Sequence, residues 1–263
     1  MKLLAFLGLL AAGYVAIAAA MFFLQEKLLY FPSQAGLGQA RFAGLAKWPD
    51  ETTYLGFQSA TPPADPRGTF LVWHGNAGAA VDRVYYVHAL ERRGFRVILV
   101  EYPGYGGRSG RLGEASFVDD ALAATRLARE TYGGPLFLVG ESLGTGVAAA
   151  VAARFADVDG VLLITPFASL ADVAQSAYPW LPAKLLIRDR FDSVAHLRDY
   201  AGPVALAVAE RDEVVPPAHA MRLHESIASP KRLWTFAGLG HNDWPTEPGA
   251  SWWDEVVEFL LRS

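Results

Sequence analysis

The sequence predicts an α/β domain, a mostly parallel central sheet with helices on both faces, preceded by a transmembrane helix. Three observations carry this. Short apolar runs alternate with longer helical patterns from residue 68 onward, as in strand–helix–strand units. One such run, Leu136–Val139, leads straight into Gly140-Glu141-Ser142-Leu143-Gly144 and then an alanine-rich helical stretch. Leu3–Leu24 contains no charged residue.

The elements follow in order. Leu3–Leu24, about 22 residues, is long enough to cross a hydrocarbon layer of ~30 Å at ~1.5 Å per residue. A cleaved signal peptide ending near Ala18-Ala19-Ala20 is the rival reading. The run continues through Met21-Phe22-Phe23-Leu24 without a polar break, which favours an uncleaved anchor. It has no polar face, which argues against a buried core helix. Lys2 favours a cytoplasmic N-terminus, with the domain on the non-cytoplasmic side, although Lys27 blunts the bias. Residues 1–27 are therefore read as anchor and 28–263 as one domain.

Thr61-Pro62-Pro63-Ala64-Asp65-Pro66-Arg67-Gly68 reads as a hairpin turn. Strands are expected at Gly68–Trp73, Arg96–Val100, Leu136–Val139, Val161–Ile164, Val204–Ala209 and Lys231–Phe236. Helices are expected at Val81–Arg92, Ala115–Tyr132, Leu143–Phe155, Pro217–Ile227 and Ser251–Leu261, with Asp119 and Asp120 exposed on the second. Ala171–Arg190 carries Tyr178, Trp180, Leu181, Leu185, Leu186 and Ile187. It reads either as an apolar cap over a pocket or as an ordinary packed helix.

Composition narrows the chemistry. A net charge of −4 argues against a nucleic-acid partner. The absence of cysteine excludes disulfides, thiolate catalysis and cysteine zinc sites. No H-E-x-x-H or comparable spacing appears, so no metal is expected. Gly104, Gly106 and Gly107 lack the rest of a phosphate-binding motif and read as turn glycines.

The chemistry centres on Ser142. A strand, a sharp turn and a helix are the setting in which a serine is presented as a nucleophile. Gly140 and Gly144 remove the Cβ atoms that would collide with the neighbouring helix and strand. A base and an acid are needed downstream. Glu210-Arg211-Asp212-Glu213 ends one strand and supplies Asp212, with Glu210 and Glu213 as rivals that spacing does not exclude. Gly240-His241-Asn242 follows the last strand and supplies His241. In this arrangement His241 takes the Ser142 proton and Asp212 orients the imidazole. The developing oxyanion needs backbone N–H donors, expected from Leu143 and from Asn76 in His74-Gly75-Asn76-Ala77-Gly78. His74 is read as fixing that loop.

With these residues in view, the chain resembles the α/β-hydrolase superfamily. Within it, the chain resembles the membrane-anchored α/β-hydrolase domain-containing proteins of types thirteen and seventeen and their bacterial relatives. The resemblance rests on 74–78, on Glu101-Tyr102-Pro103-Gly104-Tyr105-Gly106-Gly107-Arg108-Ser109-Gly110, on Thr165–Leu170, on Arg190–Ser193 and on Gln25–Pro32. It implies a short cap and puts Ser142, Asp212 and His241 at the triad positions. Glu101 stands where many relatives carry Asp. The lipidated cysteines of type seventeen are absent, so its depalmitoylating activity is not carried over.

The expectation is a membrane-anchored serine hydrolase acting on a small-molecule or lipid-like acyl ester or thioester, without a cofactor. The rivals are a serine peptidase or amidase, and a non-catalytic binding protein of the same fold.

Overall fold

A computed structural model describes residues 1–34 and 37–262. The chain opens with helix α1 (Lys2–Leu29), which is followed by strand β1 (Phe31–Pro32) and helix α2 (Leu37–Phe42). Strands β2 (Leu45–Pro49), β3 (Tyr54–Ser59), β4 (Thr69–Trp73) and β5 (Ala77–Gly78) come next. A 3₁₀ turn at Ala80–Arg83 leads into α3 (Val84–Glu91), β6 (Arg96–Val100), α4 (Glu114–Tyr132), β7 (Leu136–Glu141) and α5 (Leu143–Ala152). Then follow β8 (Gly160–Ile164), α6 (Leu170–Ala177), α7 (Ala183–Leu186), α8 (Ser193–Leu197), β9 (Val204–Ala209), α9 (Pro217–Ser226), β10 (Lys231–Phe236) and α10 (Trp252–Arg262).

Eight strands form the main sheet in the order β10-β9-β8-β7-β4-β6-β3-β2. The run from β6 to β10 is parallel, and β3 and β2 add antiparallel strands at one edge. The central strands read as nearly continuous apolar runs because both of their faces are covered. Alternate side chains go to opposite sides. Leu71 and Trp73 join Val147, Phe117 and Leu206 in one core. Phe70 and Val72 join Phe137, Tyr86 and Trp253 in the other. Trp244, Trp252 and Trp253, grouped in the sequence, pack edge-to-face or tilted against one another, and Trp244 packs tilted on Tyr86, in that second core. Helix α5 is buried along its whole length, and its glycines and alanines allow the close approach this requires.

Two expectations are corrected. The proline-rich segment 61–68 is not a hairpin turn. Strand β3 pairs with β2 and β6, and the segment carries the chain past β6 to β4. Periodicity and turn residues are local, whereas pairing is set by the whole sheet. Asp120 is not a free surface carboxylate either. It receives two hydrogen bonds from the Arg108 guanidinium, at 2.8 and 2.7 Å.

The chain order places a switch point beside β4. From β4 it moves to β6 on one side, then returns to β7 on the other. The loops leaving β4 and β7 thus diverge and leave a crevice at their carboxyl ends, where such sheets bind ligands. Trp73 pairs with Gly140, so the loop after β4 lies directly beside Ser142.

Candidate active site

Ser142 sits between β7 and α5 with φ 51° and ψ −114°, a left-handed backbone uncommon for a residue with a side chain. Its N–H is bonded to the Ile164 carbonyl at 2.9 Å, and its carbonyl accepts from Thr145 N at 2.9 Å. The strain is therefore held from both sides. A Cβ on Gly140 would lie 2.3 Å from the Gly144 oxygen, and one on Gly144 would lie 2.1 Å from the Trp73 oxygen. Both contacts are with backbone and cannot yield. The two glycines permit the turn for the steric reason read from the motif.

The predicted partners converge on Ser142. His241 Nε2 lies 2.9 Å from Ser142 Oγ, and His241 Nδ1 lies 2.7 Å from Asp212 Oδ2. A carboxylate can only accept, so Nδ1 carries the hydrogen and the Nε2 lone pair faces the serine O–H. Asp212 is buried, and its other oxygen accepts from Val214 N and Val215 N at 2.9 and 2.7 Å. These bonds fix the carboxylate plane. The rivals are placed elsewhere: Glu213 is exposed, and Glu210 accepts from Gly238 N at 2.8 Å. A pocket of about 180 Å³ opens here, lined among others by Asn76, Arg83, Ser142, Val214 and His241.

The loop after β4 is tied down by a second histidine–carboxylate pair. His74 and Glu101 are both fully buried, with Nε2 and Oε1 2.9 Å apart. His74 Nδ1 donates to Gly75 O at 2.7 Å. Glu101 also accepts from Tyr102 N and Ala80 N, at 3.1 and 2.9 Å. The fit is tight, since a Cβ on Gly106 would sit 2.2 Å from Glu101 Oε2.

Asn76 is held from an unexpected side. Its side-chain amide donates to Leu29 O at 2.8 Å, and its carbonyl accepts from Phe31 N and Tyr105 Oη, at 2.9 and 2.8 Å. Strand β1 pairs in parallel with β5. The chain leaving α1 is thereby bonded to the loop beside Ser142. These bonds use the Asn76 side chain and carbonyl and not its backbone N–H. The Leu143 N–H lies in the first turn of α5, where helical N–H groups have no intrahelical acceptor.

Sequence reading missed a second feature. Glu141, the residue before the serine, accepts from Arg83 Nε at 3.0 Å, Tyr85 Oη at 2.5 Å and Tyr86 Oη at 3.1 Å. Burial and the neighbouring Glu141 carboxylate push both tyrosine hydroxyls well above their usual range. Burial opposes the Arg83 charge, but Glu141 together with Tyr85 and Tyr86 outweighs it and raises the guanidinium pKa. The network braces one wall of the pocket. Only folding brings these groups together, and no local motif marks them. Among the described residues no group of His, Cys, Asp or Glu is arranged to hold a metal.

Comparison with known proteins identifies the family and the fold. A family model for serine aminopeptidases of the S33 group matches residues 64–192. An uncharacterized protein of Mycobacterium tuberculosis is 31% identical over 272 residues, covering 100% of this chain and 95% of that protein. The lysophosphatidylserine lipase ABHD12 of Danio rerio is 30% identical over 219 residues, covering 76% of this chain and 55% of that protein. Among solved structures, a Pyrococcus furiosus esterase superposes with a TM-score of 0.68 at 15% identity, covering 89% of this chain and 98% of that one. The chain belongs to the α/β-hydrolase family. Within it, the chain is a serine hydrolase.

Proposed function

We propose that this protein is a membrane-anchored hydrolase of carboxylic esters or thioesters, working through Ser142, His241 and Asp212 and an acyl-enzyme. The hydrogen-bonded line from Ser142 Oγ through His241 to Asp212 carries the proposal. His241 Nε2 accepts the serine proton as Oγ attacks the acyl carbon. The C–O or C–S bond then breaks, and the leaving group takes that proton from His241. Water repeats the sequence on the acyl-enzyme and releases the acid. Asp212 stabilises the imidazolium at each step. The backbone N–H groups of Asn76 and Leu143 receive the oxyanion. No resident cofactor is required.

Residues 1–27 act as the anchor in this reading, and 28–263 as the hydrolase domain on the non-cytoplasmic side. Helix α1 is long and apolar enough to span a bilayer, and a yeast relative, 29% identical over 203 residues, is described as a membrane protein. Ester chemistry is favoured by the esterase and lipase names among similar proteins. A peptidase is the second reading, because the matching family model is named for aminopeptidases.

Fluorophosphonate labelling of the detergent-solubilised protein tests the triad. Labelling of the wild type, lost in both Ser142→Ala and His241→Ala, is the expected result. A folded wild type that does not label removes the hydrolase mechanism. Faster turnover of amino-acid anilides than of p-nitrophenyl esters favours the peptidase.

A further inference from the structure

Helix α1 does not stand clear of the domain. Its Ala18, Met21, Phe22, Gln25 and Leu29 face, spaced as one helical stripe, is partly or fully covered. Its cover is the segment between α6 and β9. Gln25 is buried there, donating to Leu186 O at 3.4 Å and accepting from Arg188 N at 2.8 Å. An apolar cleft separates Met21, Phe22 and Leu28 from Tyr178, Leu181 and Leu186. The contact climbs as far as Tyr14, whose hydroxyl donates to Trp180 O at 3.0 Å.

Length makes this contact informative. Only about 11 residues of the uncharged run, Leu3–Gly13, precede Tyr14, a rise of ~16 Å at ~1.5 Å per residue. That is about half of a ~30 Å hydrocarbon layer, which needs roughly 20 residues to cross. A spanning α1 must therefore use Tyr14 and the residues after it. Those residues carry with them the segment 171–190, one reading of which is a cap.

The cap surface suits that depth. Tyr178, Trp180 and Leu185 are 39%, 53% and 82% exposed. Lys184, the only charged side chain in 178–187, is paired with Asp172. Arg188 and Arg190 follow it. Backbone pairing also meets most of the requirement of a lipid medium, where unbonded amides are costly, with Trp180 and Ala183 N–H the exceptions. The N–H groups of Tyr178, Leu181 and residues 184–187 are all bonded within the protein, and Pro179 and Pro182 have none. The Gln175 amide donates to the carbonyls of Tyr178 and Leu181.

We propose that residues 178–187 insert into the bilayer alongside α1, so that cap and anchor form one continuous lipid-facing surface. The occupant is the lipid of the leaflet next to the domain. Trp180 and Tyr178 are suited to its interface, and Arg188 and Arg190 to its head groups. The proposal rests on α1 being a membrane anchor.

The full-length protein, reconstituted into phosphatidylcholine vesicles, gives the test. The chain has no cysteine, so Leu185→Cys takes a single nitroxide label at an exposed site. The expected signal is broadened by dissolved oxygen and not by a water-soluble nickel chelate. The other six tryptophans are buried, so acyl-brominated lipid should quench wild-type emission and lose most of that effect in Trp180→Phe. Protein that floats with the vesicles but carries a nickel-accessible label overturns the insertion and leaves the anchor standing. A label shielded from both reagents means coverage by protein, such as a second copy, and also overturns it. Protein that does not float overturns the anchor and the insertion together.

Discussion

Two histidine–carboxylate pairs flank Ser142, and they differ in what the second ring nitrogen faces. In His241–Asp212 that nitrogen meets the serine hydroxyl at 2.9 Å, and the pair opens on a pocket. In His74–Glu101 it meets the carbonyl of Gly75 at 2.7 Å, and both side chains are sealed from solvent. The same chemical pair is aimed at a serine hydroxyl in one place, the geometry of the proposed proton carrier, and is a rivet in the other. A proton carrier needs a nitrogen lone pair directed at a reacting group and room for substrate. A rivet needs every polar atom consumed by the protein itself.

The largest effect that could break this comparison is in the rate. His241→Ala should lower kcat on p-nitrophenyl butyrate by about 10⁵–10⁶ with the unfolding midpoint nearly unchanged. Asp212→Asn should cost about 10⁴, because it loses the acceptor that fixes the imidazole tautomer. If His74→Ala shows the same pattern, a lost rate with an unaltered midpoint, the two roles have been assigned wrongly.

The buried pair should instead answer in stability. Glu101→Ala leaves His74 and two backbone amides without their acceptor, and should lower unfolding free energy by about 3–5 kcal/mol in urea titrations. The anchor-to-loop tie is weaker. Asn76→Ala removes one hydrogen bond to Leu29 O and keeps the backbone N–H, so kcat should fall about tenfold, read on a soluble short-chain ester. An unchanged kcat would mean that the loop keeps its place without the tie.

A third neighbourhood supplies the control. Burial raises Asp172, but hydrogen bonds from Lys184 and Ser169 and the charges of Arg222 and Lys184 outweigh it and bring it down to about 2. Its folded pKa lies below its unfolded one. Its stabilisation is therefore present above about pH 4 and lost as pH falls towards 2. Asp172→Asn should flatten the stability profile in that window while leaving neutral-pH kcat within about twofold. A large loss of kcat would tie this cluster to the reaction.

The legible parts of the site were those with local causes. The turn at Ser142 follows from two glycines that exclude clashing Cβ atoms. The parallel sheet follows from apolar runs of strand length separated by helices. The positions of Asp212 and His241 at strand ends follow from the same alternation. Choosing Asp212 over Glu210 and Glu213 needed the packed loop, because three carboxylates within four positions differ only in direction. Segment 61–68 connects strands that do not pair, which its turn residues cannot show, because pairing is set by the whole sheet.

The sequence by itself determined the fold class, the glycine-flanked turn at Ser142 and an apolar N-terminal run of spanning length, because each is written in residues close together along the chain. Only the tertiary structure decided that Glu141 gathers Arg83, Tyr85 and Tyr86, and that the chain leaving α1 holds the loop at Asn76. Those contacts join residues tens of positions apart. Their geometry depends on strand register and on the depth at which each side chain is buried, and neither quantity exists until the sheet has formed.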